Sequence, residues 1–167
     1  MENKITYLAD ILSKSNDIDI NSLYSICKKI KINCHLVIMN QPYLDLIISG
    51  TKTIESRFTK VRCAPYREVK IGDILIFKES SGDILALSTV KKVEYFGNLT
   101  TEETLELLER FRIPLAITDE FIEQKKDSKY ASLIHVDKTI SIQPIKIKKS
   151  DRRSWVKFEY ETYGTLF

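Results

Sequence analysis

Two turn signals a strand's length apart constrain this chain more than any other feature. Ile71-Gly72-Asp73 and Ser80-Ser81-Gly82-Asp83 bracket a β-forming run at residues 74–77, and a longer run, residues 84–95, follows the second turn. Gly and Asp accept turn backbones that branched residues resist, so the two runs read as a hairpin. A lone hairpin is marginal in water and needs more strands or a helix against it. The chain supplies both. Residues 35–39, 130–136, 140–147 and 154–158 have β character, with Pro144 interrupting the alternation as an edge or bulge residue does.

Helical signals lie between these runs. Leu8, Ile11 and Leu12 recur at helical spacing within residues 5–14, as do Leu23, Ile26 and Ile30 within residues 21–32. Asn40-Gln41-Pro42 supplies a cap and a first-turn proline for residues 43–49, with Leu44, Ile47 and Ile48 as the apolar stripe and Gly50 as the stop. Thr100 with Glu103 forms a capping-box pattern ahead of Leu105, Leu107, Leu108 and Phe111, and Pro114 ends that signal. Strands with helices inserted between them predict an α+β fold, and several short twisted strands around one core predict a small mixed barrel. The organisation expected is an N-terminal helical extension at 1–32, a main domain at 33–160 and a C-terminal tail at 161–167.

With 167 residues, 43% apolar and 29% charged, the chain is long enough for one core and excludes collagen-like and disordered classes. No apolar run approaches the roughly 18 residues of a bilayer crossing, and the polar start Met1-Glu2-Asn3-Lys4 lacks a secretory pattern, so no membrane association and a cytoplasmic location are expected. Cys27, Cys34 and Cys63 are odd in number and contain no C-x-x-C, indicating neither a disulfide framework nor a zinc knuckle. His35 beside Cys34 is only two ligands, and no metal or cofactor is expected.

The net charge of +3 says little, but its distribution says more. Six basic residues between Lys52 and Lys70 face Glu55 and Glu68, and six between Lys146 and Lys157 face Asp151 alone. Seven acidic residues between Glu102 and Glu123 separate them. One cationic side and a polyanionic partner follow, against the plainer alternative of a solvated lysine-rich surface.

The most informative stretch is Gly50-Thr51-Lys52-Thr53-Ile54-Glu55-Ser56-Arg57. Extended backbone from 53 to 58 puts Thr53, Glu55 and Arg57 on one face and Ile54 and Phe58 on the other, where the apolar pair should take the core. Lys52, Glu55 and Arg57 then suit a phosphate or a base edge, or else form an ordinary exposed ion pair. Tyr43 and Tyr66 are stacking candidates, each beside a proline that explains it by packing alone. Arg152 and Arg153 next to Trp155 fit a phosphate grip beside a stacking ring, or a structural anchor with surface ion pairs.

Gln41-Pro42-Tyr43, the full pattern Gly50-x-Lys52-x-x-Glu55-x-Arg57, Ala64-Pro65-Tyr66, Gly72-Asp73 and the closing residues 149–156 together resemble the ASCH domain of the PUA-like superfamily, in its longer bacterial form. The resemblance spans about residues 34–158. It implies a small β-barrel with flanking helices, an RNA or nucleotide-like ligand, and a role in translation or transcription regulation. Carried over, Lys52, Glu55 and Arg57 line the cleft, with Tyr43, Arg152 and Arg153 as further nucleic-acid contacts and Gly50 and Gly72 as structural turns. One branch of the family hydrolyses N4-acetylcytidine with the motif lysine as nucleophile, which makes Lys52 and Glu55 catalytic candidates. That branch has a threonine where this chain has Glu55, so a substitute hydroxyl from Thr53 or Ser80 and a base from Glu79 would be needed, and an enzyme is the lesser expectation. A third reading is a protein-interaction adaptor that docks a partner through the N-terminal helices.

Overall fold

A computed structural model describes residues 2–149 and 151–160, and for Glu2 and Asn3 the backbone alone. The tail expected at 161–167 lies outside the described residues, as does Ser150. The chain begins with α1 (Glu2–Ser13), a short β1 (Asp17–Asp19) and α2 (Ile20–Ile30). Asp19 caps α2, its carboxylate accepting from the Ser22 amide at 2.7 Å. Then come β2 (Cys34–Met39), α3 (Tyr43–Ser49), β3 (Ile54–Thr59), β4 (Ile74–Glu79) and β5 (Ile84–Phe96). Three helices follow, α4 (Thr101–Arg110), α5 (Arg112–Leu115) and α6 (Asp119–Lys125), before the long β6 (Tyr130–Lys148) and β7 (Trp155–Phe158).

The predicted hairpin forms: β4 and β5 pair antiparallel with Ile76 opposite Leu87. Gly72 sits at φ +94°, a conformation that costs glycine little, and its amide donates to Val90 O at 2.8 Å. The capping box at α4 also forms, Thr100 and Glu103 exchanging side-chain and backbone bonds at 3.1 and 3.0 Å. Residues 130–148 make one strand rather than two, and Pro144 falls where the register against β5 slips between Ile84 and Ala86. A bulge there spares a ladder position the proline cannot fill.

All seven strands join one mixed sheet, in the order β1-β6-β5-β4-β2-β7, with β3 pairing antiparallel to the first half of β6. The expected closed barrel is corrected to an open sheet. Among the described residues β3 and β7 do not pair with each other, and a seam remains between β3 and the β2–β7 edge. β3 pairs with β6, while β2 gives its outer edge to β7.

Among the described residues there are three apolar clusters. One holds Leu8, Leu12, Ile18, Leu23 and Cys27 against Leu36, Ile76, Ile145 and Phe158. This N-terminal part therefore contributes strand β1, parallel to β6, as well as helices α1 and α2, and shares a core with the rest of the sheet. A second cluster, around Val37, Phe77, Ala86, Ile134 and Trp155, lies on the opposite face of the sheet. The third places Ile54, Phe58 and Leu133 under α4, α5 and α6. The apolar pair of the motif strand thus does reach a core, but the opposite face is not open to solvent either. Glu55 lies across from Ile134 and Arg57 across from Ser132, and directly opposed residues share a face, so both charges point to the face of the second cluster.

Candidate functional site

The α3 helix ends at Gly50, in the left-handed region at φ +85°, with its amide on Ile47 O at 3.1 Å. The chain turns back at once: the Lys52 amide donates to Leu46 O at 2.9 Å and the Thr53 amide to Pro114 O at 2.9 Å. This pins Lys52 in the angle between α3 and α5. Its side chain is 3% exposed, and Nζ donates to Leu115 O at 2.7 Å and stands 5.4 Å from the centre of the Tyr43 ring. Burial pushes the lysine below its ordinary pKa; Glu55 acts in the opposite direction and Arg57 in the same one.

Glu55 is 5% exposed, and its Oε1 accepts from the Ser56 amide at 2.6 Å. Arg57 is half-buried; its Nη2 donates to Ile38 O at 2.9 Å and its guanidinium lies 5.3 Å from the Trp155 ring centre. Arg57 therefore bridges the seam, reaching from β3 to both β2 and β7. Among the described residues Lys52, Glu55 and Arg57 form no ion pair with one another; each is held by a backbone group. The exposed ion pair foreseen as the plainer reading is absent. Buried charges without a carboxylate–cation contact cost stability.

What lies there is a cleft of about 480 Å³ running along the seam. Its floor is Lys52, Glu55 and Arg57, one wall is the end of β2 with Tyr43, and the other is α6 through Glu120, Phe121 and Lys125. Volumes of this size hold single small ligands. Cations and carboxylates both line it, so the cleft is mixed in sign rather than uniformly basic. Tyr43 packs edge-on against Phe121 at 5.8 Å, and burial, followed by the charges of Glu120 and Glu55, pushes its phenol upward.

Beneath Arg57 lies a buried chain of hydrogen bonds. Trp155 Nε1 donates to His35 Nδ1 at 3.0 Å, and His35 Nε2 lies 2.8 Å from Asp73 Oδ2. An indole N–H only donates, so Nδ1 must be the acceptor and Nε2 must carry the proton toward Asp73. Asp73 is itself held by the Lys70 amide at 3.0 Å. The Gly72-Asp73 turn thus fixes the ring on which the motif arginine rests, and His35 has both nitrogens engaged.

A family model for the ASCH domain matches residues 37–159. The chain belongs to the ASCH domain family. Among solved structures, this ASCH chain is similar to an ASCH protein from Zymomonas mobilis, at 11% identity over 68% of this chain and 73% of that one, with a TM-score of 0.55. At such identity the likeness bears on the fold alone, which is α+β and PUA-like. The N-terminal domain of McrB from Staphylothermus marinus (16% identity, 70% of this chain and 76% of that one) and a protein from Enterococcus faecalis (12%, 84% and 90%) are looser likenesses at a TM-score of 0.44, which carries no argument. Comparison with curated proteins returned no match.

Of the residues singled out in the ASCH sequence, Lys52, Glu55, Arg57 and Tyr43 come together in the cleft. Arg152 and Arg153 are exposed and do not line it, although the next residue, Ser154, does. Arg153 instead bonds Asp151 at 2.8 Å. Thr53, Ser80 and Glu79 do not line it either; Glu79 accepts from Gln41 at 2.9 Å. Tyr66 lies outside the cleft, in a ring cluster with Tyr95 and Tyr130. The missed contributor is α6. It is only seven residues long with one buried residue, Ile122, too few for a periodic signal. Its one mark was Thr118 ahead of Asp119 and Glu120, a cap followed by an acidic first turn.

Proposed function

We propose that this ASCH domain binds RNA in the cytoplasm, taking one unstacked nucleotide into the seam cleft. The observation that carries this reading is the burial of Lys52 and Glu55 without a mutual ion pair, at the floor of a cleft sized for one small ligand. A base edge presents both donors and acceptors, and a mixed lining suits it better than a plain cationic groove. Glu55 accepts from an exocyclic amine, Arg57 and Lys125 serve the phosphate, and Tyr43 or Phe121 offers a ring face. Binding of short single-stranded RNA, followed by fluorescence anisotropy, should weaken steeply with salt as counterions are released. Absent or salt-independent binding overturns the proposal.

A second reading, hydrolysis of an acylated nucleoside such as N4-acetylcytidine, is favoured by one observation. An amine nucleophile must be neutral part of the time, and burial moves Lys52 that way despite Glu55. With Thr53, Ser80 and Glu79 away from the cleft, the hydroxyl would come from Ser56, Thr118 or Tyr43. Incubation with N4-acetylcytidine decides it: no turnover, or full turnover by Lys52→Ala, removes the reading.

A further inference from the structure

The loop leaving β3 carries two arginines that lie against a ring rather than a carboxylate. Arg62 and Arg67 are exposed, and their guanidinium carbons lie 5.2 and 5.6 Å from the centre of Tyr66. Glu68, on the same loop, makes no ion pair with either among the described residues, whereas Arg112 and Arg153 elsewhere are paired with aspartates. Tyr66 itself is 9% exposed and immobilised from below. Its ring meets Tyr95 at 5.6 Å and Tyr130 at 5.2 Å, both nearly edge-on. Its hydroxyl sits so close to Gly97 that a Cβ there would lie 2.6 Å from it. The Tyr95 hydroxyl ties the loop further, donating to Val69 O at 2.7 Å. The two exposed guanidinium groups therefore rest against a fixed platform, Arg67 also interacting with the Tyr66 side chain through a hydrogen bond.

This platform adjoins the cleft. Thr59 lines the cleft and pairs in the ladder with Tyr130, the ring against which Tyr66 packs. From Thr59 to Arg62 the chain can span at most about 11 Å. Between them Val61 is 67% exposed, an apolar side chain flanked by Lys60 and Arg62.

We propose that the Arg62–Tyr66–Arg67 platform is a second contact for a single RNA strand, taking the phosphates of nucleotides that flank the one in the cleft. The proposal rests on the RNA reading above. An arginine held against a tyrosine ring keeps N–H donors that no carboxylate takes, and these match a phosphate with two parallel hydrogen bonds. Little ordering remains to be done on binding, because the platform is already rigid.

The test compares wild type with Arg62→Gln/Arg67→Asn, asparagine being chosen for the left-handed backbone at φ +60°. The probes are a random-sequence RNA octamer and the four nucleoside 5′-monophosphates, titrated over a range of salt. The double variant should bind the octamer about tenfold more weakly, with a salt slope shallower by about 1.4, since each single-strand phosphate contributes about 0.7. Its affinity for the monophosphates should not change. Unchanged octamer affinity and slope overturn the inference while leaving the cleft reading intact. Equal losses for octamer and monophosphates also overturn it, because the loop would then act on the cleft rather than on the strand. Failure of wild type to bind either probe removes the RNA reading and the inference together.

Discussion

The motif strand and the segment leading into β7 are both basic in sequence, yet they hold their cations in opposite ways. At the floor of the seam, Lys52 and Arg57 are taken from water and donate to the carbonyls of Leu115 and Ile38. Before β7, Asp151 gathers Lys149 and Arg153 around one carboxylate, which they hold below the usual carboxylate range, Arg153 foremost. The first arrangement leaves charge without a carboxylate partner, at a cost in stability. The second neutralises charge locally. Counting basic residues does not distinguish them; what matters is whether a carboxylate lies within reach.

Lys52→Met puts the sharpest pressure on this contrast. Affinity for single-stranded RNA should fall roughly a hundredfold, while stability in urea holds or rises, since a buried charge without a carboxylate partner is often a net cost. A loss under about threefold would put this lysine on the same footing as the exposed arginines.

The pH dependence sharpens the same point. Burial lowers the Lys52 pKa in the folded chain, so the unfolded chain holds that proton over a window just below the ordinary lysine value of 10.5. More protons in the unfolded state mean that stability gained from this group rises with pH across that window, while RNA affinity falls as the amine discharges. Titrating wild type against Lys52→Arg should show the affinity loss in wild type alone; parallel curves would place the titration elsewhere.

Trp155→Phe keeps a ring under Arg57 but leaves the buried His35 Nδ1 without its donor. We expect about 1–3 kcal/mol of destabilisation by chemical unfolding, the usual cost of an unmet buried polar group. A change within 0.5 kcal/mol, roughly the scatter of neutral surface substitutions, would mean that the His35 link does not hold the seam. Smallest of all should be Arg152→Ala/Arg153→Ala, with stability unchanged and RNA affinity within about threefold, since exposed pairs contribute little. A tenfold loss would bring those arginines into the binding surface and erase the contrast.

Much of the architecture was legible because its signals are local. The hairpin around Ser80-Ser81-Gly82-Asp83, the α4 capping box and the glycine stop after α3 depend on neighbours within a few positions. So did the alternation of β3, which correctly sent Ile54 and Phe58 to an apolar cluster. The motif identified which side chains meet in the cleft, but not that the charged face of β3 would be covered too. Nothing local in Glu55 or Arg57 says that β2, α3 and α6 close around them.

Residue order alone therefore settled most of the helices and strands, the turns at Gly50 and Gly72, and the chemical character of the motif strand, but neither β1 nor α6. Only the tertiary structure decided that the sheet stays open, that Arg57 spans the opening, and that α6 walls the cleft while Arg152 and Arg153 stay outside it. Those outcomes depend on contacts between residues far apart in the chain, such as Arg57 with Ile38 and Trp155 with His35, whose partners are chosen by packing. Local sequence carries no record of that choice, because the free energy that makes it belongs to the assembled core.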